Sequence, residues 1–491
     1  MLCFAIRAVR SEDAPHPPEL MCAQVLARPF FSGAGTTSEP DLQRLVCYLG
    51  NSDSASGPSG WLTLLLGYGA LRRGLFSPGQ RAQVEKIINN HVPSEAAARR
   101  LLLKLMPKAE LHVHLDGSMR PEFILEQARR QGVDLRQAVP GLLKLAPADV
   151  DLTLEHLRTY QGSPQVKVSD FSHFLSLFDL ALAVLQTREG LKAAAIDLMG
   201  QGHAEHVTHM ELRFAPMLHL KRGLSYDDVC HALLEGIAEG RQRYRMTGAL
   251  IIAAYRDKIT EPGFETHAME TADAAVRQAK NQWGIPIGFD LAGFESHDFP
   301  LIKFITAFGI AACASQLWIT VHAGETPGTH SQDNLLTAAD WGIFHRIGHG
   351  IGAATLPADT DAKILRKLKR LPLEVCLTSN LQLGCVTNLA AHPLPQLLNA
   401  GFRKVTLSCD NRQISGTTLT REFEILTNEL GFKLLVRDDN GRLRISSVVK
   451  FIAAQAYRAA FLPHAVRSSQ AEHHRRWLDL LDSIVPFVFG E

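Results

Sequence analysis

Two histidines separated by one residue, His112 and His114 in AELHVHL, are the first pattern in this 491-residue chain whose spacing points to chemistry. Side chains alternate between the faces of an extended strand, so both imidazoles project to the same side. Further along stand His322 in VHAGE, His349 between two glycines in GHG, and Asp410 in SCDN, each closing a short apolar run of strand length. A lone histidine at a strand end is usually structural and a single H-x-H pair is a weak signal. Four strand ends meeting at one mouth are much harder to obtain by chance. Three imidazoles and a carboxylate suit Zn²⁺, which takes nitrogen and oxygen donors and, in catalytic sites, keeps a position open for water. The segment IPIGFDLAGFE contains no lysine that could be carboxylated to bridge a second ion, so one zinc per chain is expected. Such an ion lowers the pKa of its water from 15.7 toward about 7. Glu325, three residues after His322, is placed to move protons beside it. His349 reads either as a fourth nitrogen ligand or as a group that orients the hydroxide, and spacing leaves both open.

Bringing these residues together requires a fold whose strands all end on one side. From Lys108 onward, apolar runs at 109–115, 207–214, 248–255, 287–293, 317–324, 345–350, 373–379 and 405–410 alternate with longer stretches of helical period. Eight β/α units imply an α/β fold, a (β/α)8 TIM barrel, whose reactive groups project from the C-terminal ends of the strands. The long gap after the first strand implies a helical insert over roughly residues 120–200. Residues 1–59 are rich in Pro, Gly, Ser and Thr, with little apolar content to offset the entropy of ordering, and read as loosely structured. Residues 60–106 carry helical periods, with Ser94 as a cap, and form a small helical N-terminal extension. Residues 107–491 then hold the barrel and its C-terminal helices.

The charge balance, 51 Lys+Arg against 50 Asp+Glu for a net +1, argues against a nucleic-acid binder held by a basic surface. Eight cysteines with no C-x-x-C pair fit a reducing compartment. No apolar run approaches the roughly 20 residues of a membrane helix. The first residues, MLCFAIRAVRSEDAPHPPEL, include Glu12, Asp13 and Glu19 and lack the apolar core of a targeting peptide. A cytoplasmic location is therefore expected, with no membrane partner. His203, His206 and His209 approach the second strand from the wrong end for the mouth and read as surface and core residues. His473 and His474, beside Arg475 and Arg476, read as a solvated helix face.

The segments MPKAELHVHLDGS, MELRFAP, GFDLAG, VHAGE, RIGHG, TSNLQLG and VTLSCDNRQISGT, in that order over about residues 106–430, resemble the adenosine deaminases of the amidohydrolase superfamily. The H-x-E and P-C-x-x-C signature of the small cytidine and tRNA-adenosine deaminases is absent. The resemblance implies zinc held by His112, His114, His322 and Asp410, with hydroxide between the metal, Asp410 and His349. It makes Glu325 the group that protonates purine N1, Asp116 the partner of the ribose hydroxyls, and the backbone NH of Gly293 the donor to N3, with His114 also on the substrate. Two departures stand out. Asn411 follows Asp410 where many relatives have a second Asp, as in the bacterial branch; an Asn amide donates to purine N7 directly, whereas Asp must first hold a proton. Leu377 stands where that branch usually has Pro. The implied substrates are adenosine and 2′-deoxyadenosine, with adenine or a 5′-modified adenosine such as methylthioadenosine as rivals. From a different class, the rival is a non-catalytic barrel scaffold.

Overall fold

The computed structural model describes residues 18–28, 38–50, 57–147, 150–161, 171–256 and 264–490. The eight expected strand runs all appear, in order around one parallel barrel. They are β1 (Lys108–His114), β2 (Val207–Phe214), β3 (Thr247–Tyr255), β4 (Ile287–Ala292), β5 in two short pieces (Trp318–Ile319 and His322–Ala323), β6 (Ile347–His349), β7 (Leu373–Val375) and β8 (Val405–Leu407). Pairing continues across the break in β5, where Thr320 N donates to Phe289 O (2.9 Å) and Gly348 N to Val321 O (2.8 Å). A parallel bridge between Val113 and Asp410 closes the ring. Asp410 N donates to His112 O (2.9 Å) and His114 N to Asp410 O (2.8 Å), so the last strand end is hydrogen-bonded to the first.

Helices cover the outside because their apolar positions recur at helical spacing. In Tyr226–Tyr244, Val229, Cys230, Leu233, Leu234 and Ile237 are buried, and Ser225 with Asp228 makes a reciprocal capping box at the start. Strand seven is shorter than expected. Its apolar run continues into the helix Leu377–Gln382, because a short buried run does not distinguish a strand from a helical turn. Leu377 is the first residue of that helix, a position that accepts Pro as well, so this departure from the related sequences leaves the turn intact.

Within the segment 1–59 expected to be loose, the described stretches 18–28 and 38–50 are helical instead. Helices Pro18–Ala27 and Glu39–Leu49 are formed, with Leu20, Ala23 and Ala27 and then Leu42, Leu45, Val46 and Leu49 buried in the main core. They pack on Gly57–Arg72, a helix apolar around most of its circumference. Low local apolar content misled because the partner surface lies later in the chain. Residues 1–17, 29–37 and 51–56 lie outside the described residues. Helices Pro78–His91 and Glu95–Leu105 follow, and Ser94 Oγ accepts from Ala97 N (3.2 Å) as a cap. The long helix His464–Phe489 packs against Gly57–Arg72 and joins the extension to the barrel. His474, expected on a solvated face, is instead buried and donates from Nδ1 to Pro107 O (3.0 Å), whereas His473 and Arg476 are half-buried and Arg475 is exposed. Among the described residues, no helix is long and apolar enough to cross a membrane.

Candidate active site

The mouth of the barrel gathers the strand-end residues. One donor atom each from His112, His114, His322 and Asp410 lies within 4.8 Å of all the others. Asp410 Oδ1 is 3.5 Å from His112 Nε2 and 3.3 Å from His114 Nε2, and the Nε2 atoms of His114 and His322 are 3.3 Å apart. Asp410 Oδ2 accepts from Ser379 Oγ (2.5 Å), which turns Oδ1 toward the imidazoles.

Carboxylates behind the ring fix which nitrogen faces inward. His112 Nδ1 donates to Glu374 Oε2 (2.9 Å) and His322 Nδ1 lies 3.0 Å from Asp290 Oδ2, leaving both Nε2 lone pairs on the site. Arg213 spans the two carboxylates, with Nη1 to Asp290 (3.0 Å) and Nη2 to Glu374 (2.8 Å), and Arg346 ties Glu374 to Glu211. All five charged side chains are fully buried. Burial alone would raise the carboxyls of Asp290 and Glu374. The adjoining guanidinium and imidazole groups outweigh it and hold both well below the usual carboxylate range. The donor set therefore fits a divalent cation: nitrogen and oxygen atoms converge, each tautomer is set from behind, and the carboxylate has one oxygen turned inward.

His349 belongs to a different chain of hydrogen bonds, whose direction can be followed. Leu394 N donates to His392 Nδ1 (3.1 Å), so His392 Nε2 carries hydrogen toward Asn380 Oδ1 (3.2 Å). Asn380 Nδ2 then donates to His349 Nδ1 (3.2 Å), which leaves the His349 proton on Nε2, facing Glu325 Oε1 at 3.3 Å. That polarity favours a donor at His349 over a nitrogen ligand. The Glu325 loop rests on buried Glu295, whose carboxylate accepts from Gly324 N (3.1 Å), Glu325 N (2.8 Å), Ser331 Oγ (3.1 Å) and Asn334 Nδ2 (2.8 Å). His349 and Asp410 both adopt φ of 61°, a left-handed conformation costly for non-glycine residues.

A cavity of about 700 Å³ opens onto this cluster and is lined by His114, Asp116, Gly293, His322, Glu325, His349, Asp410 and Asn411, while His112 lies fully buried behind it. Burial pushes the Asp116 carboxyl up to about 6, and the Asp410 charge adds to the shift. Asn411 packs so closely on the next turn that a Cβ at Gly117 would sit 1.9 Å from its Oδ1. Beyond the polar end, Phe174, Phe178, Leu182, Leu218 and Leu220 form an apolar lobe. Position at a strand end does not single out Arg213, Asp290, Glu295, Glu374, Ser379 or Asn380. For Arg213, Asp290 and Glu374 the available signal was a charged residue inside an otherwise apolar strand run, as in MELRF, GFDLA and LEV.

A family model described as adenosine deaminase matches residues 107–469. The chain belongs to the adenosine deaminase family. The adenosine deaminase of Enterococcus faecalis is 35% identical over 324 residues, covering 65% of this chain and 85% of that one. The crystal structure of an adenine deaminase from Arthrobacter aurescens superposes with a TM-score of 0.60 at 25% identity, covering 76% of this chain and 99% of that one. An amidohydrolase from Burkholderia ambifaria, solved with bound Zn, shares the fold at a TM-score of 0.62 and 17% identity, covering 79% and 94%. The family match begins at β1, so the helical extension before it lies outside the matched region.

Proposed function

We propose that the adenosine deaminase activity of this chain, the hydrolysis of adenosine to inosine and ammonia, runs at the barrel mouth with one zinc ion held by His112, His114, His322 and Asp410. The observation that carries the reading is the convergence of these four donors beside the facing Glu325 and His349 in one cavity. The zinc assignment is supported by the N and O donor set and by the zinc in the Burkholderia amidohydrolase. When bound, such an ion makes hydroxide available near neutral pH by lowering the pKa of water to about 7.

The remaining steps belong to side chains. Glu325 protonates purine N1, which draws electron density from C6 and opens it to attack, and, recharged by the proton that the C6 oxygen later releases through Asp410, protonates the departing amine. His349, its proton held on Nε2 by the Asn380–His392 chain, donates to the oxygen adding at C6. Asp410 accepts the proton that oxygen releases. Asn411 Nδ2 donates to N7, supported by the packing of Oδ1 on Gly117, and the NH of Gly293, at φ 93°, donates to N3. Asp116, beside His114, accepts from the ribose hydroxyls, which favours adenosine and 2′-deoxyadenosine over free adenine. On this reading residues 107–491 form the catalytic unit and 60–106 a helical support. The cysteine pattern supports a cytoplasmic location.

The test is the loss of adenosine-band absorbance by zinc-loaded protein given adenosine, 2′-deoxyadenosine, adenine, methylthioadenosine and adenosine monophosphate in parallel. Adenosine and its 2′-deoxy form are expected to be turned over fastest. Preference for adenine or for a 5′-modified nucleoside would keep the chemistry and refute the ribose assignment. No turnover of any substrate with zinc bound would favour a scaffold.

A further inference from the structure

Directly below Asp410 and Asn411 lies a second group of buried charges that the proposed chemistry does not use: Glu110 on β1, Glu205 in the loop before β2, and Arg412. Their contacts bracket the two site residues. On one flank, Glu110 Oε1 accepts from Cys409 N (3.1 Å). On the other, the Arg412 guanidinium is paired with Glu205 and approaches Glu110 Oε2 at 3.7 Å. Glu205 Oε2 also accepts from Thr420 N (2.9 Å), so this carboxylate is held at both oxygens. Burial alone would raise the Glu205 carboxyl. Arg412 and the hydrogen bonds outweigh it and hold the group at about 2, so it is ionised throughout the neutral range.

The backbone of the same turn is joined to the end of β1. Arg412 N donates to Ser118 Oγ (3.2 Å), whose hydroxyl donates to His114 O (2.5 Å). Gln413 N and Ile414 N both donate to Gly117 O, at 3.1 and 3.2 Å. A hydrogen-bonded path therefore runs from the carbonyl of His114 through Ser118 to Arg412, two residues from Asp410. The turn it stabilises includes the left-handed Asp410, a conformation the surroundings must enforce. Buried ion pairs are weak contributors to stability compared with apolar packing of similar volume. Their placement on both flanks of Asp410–Asn411 points to a geometric purpose.

We propose that Arg412, through its ion pair with Glu205 and the approach of its guanidinium to Glu110, is a positioning residue that sets Asp410 against the imidazoles and Asn411 against the purine. This rests on the assignment of Asp410 as a metal ligand and Asn411 as a purine contact. It adds residues that touch neither metal nor substrate. Arg412→Lys keeps the charge but removes the planar fork that reaches two carboxylates at once. Glu205→Gln keeps the size and removes the charge.

The test uses full-length protein carrying Glu205→Gln or Arg412→Lys, with Asp410→Ala as reference. Metal affinity is measured by chelator competition, the visible spectrum is recorded with Co²⁺ in place of zinc, and kcat and KM for adenosine are normalised to bound metal. Both positioning variants are expected to bind metal about tenfold more weakly, to shift the cobalt bands, and to lower kcat about tenfold. A lower unfolding midpoint with unchanged cobalt bands, metal affinity and kcat in the folded protein would overturn the proposal and reduce the cluster to structural support. If Asp410→Ala itself left metal affinity and the cobalt bands unchanged, the ligand assignment would fall and the positioning role with it.

Discussion

Buried histidines occur at both ends of this barrel, and the two groups differ in what their ring nitrogens meet. At the N-terminal end, His206 and His474 each place Nδ1 on a backbone carbonyl, of Leu105 and Pro107, and among the described residues neither joins a cluster of candidate metal donors. At the mouth, His112 and His322 each place Nδ1 on a buried carboxylate, and their Nε2 atoms point into one cluster with His114 and Asp410. Burial is common to both groups. Convergence, and a charged partner behind the ring, mark the candidate ligands. A carbonyl satisfies one N–H and orients the ring, whereas a carboxylate also raises the basicity of the opposite nitrogen.

The largest contrast should come from the mouth itself. Glu325→Gln is expected to keep the metal and lose about 10²- to 10⁴-fold in kcat, the usual range for removing a general acid–base. His112→Ala should lose metal and turnover together. Metal content and initial rates on the same samples separate the two, and near-normal kcat in Glu325→Gln would remove its proton-transfer role. One step back, Asp290→Asn should weaken metal binding about 10- to 100-fold by weakening the charge behind His322. A chelator titration that matched the unaltered protein would show that the carboxylate behind the ring does not distinguish the mouth from the floor.

How far these features could be read in advance depended on the residue. His112, His114, His322, His349, Asp410 and Glu325 were visible because each closes a strand run, and the strand ends are where such a barrel exposes reactive groups. Ser379 and Asn380 were concealed because the apolar run of strand seven continues into a helical turn that carries them to Asp410 and His349. Arg213, Asp290 and Glu374 sit inside strands whose pattern suggested only packing, although their alternating charges link two of the candidate ligands. His474 was misplaced for a different reason. Its arginine neighbours suggested a wet face, but the neighbours on a helix point outward at angles that leave its own ring on the core.

The smallest expected effects belong to the floor. His474→Leu should leave metal content and kcat unchanged while costing about 1–3 kcal/mol of stability, since Pro107 O loses its donor. Burial lowers the His474 pKa from 6.5 to about 3, only partly offset by the bond to Pro107 O, so the folded ring is neutral. Between those values the unfolded chain binds the extra proton. Stability from this group is therefore complete above pH 6.5 and falls as pH drops toward 3, by at most about 1.4 kcal/mol per unit. Unfolding midpoints across that range should fall less steeply in His474→Leu than in the unaltered protein. Equal slopes would mean that the buried imidazole is not kept neutral.

The proposed deamination of adenosine requires one divalent ion held by the four convergent donors. Its most direct test is to strip the full-length protein with a chelator, return Zn²⁺ in substoichiometric steps, and follow adenosine conversion at each step. Turnover should rise in proportion to zinc and reach its plateau at one equivalent per chain. Undiminished turnover in the stripped protein, or a plateau only at two equivalents, would contradict it.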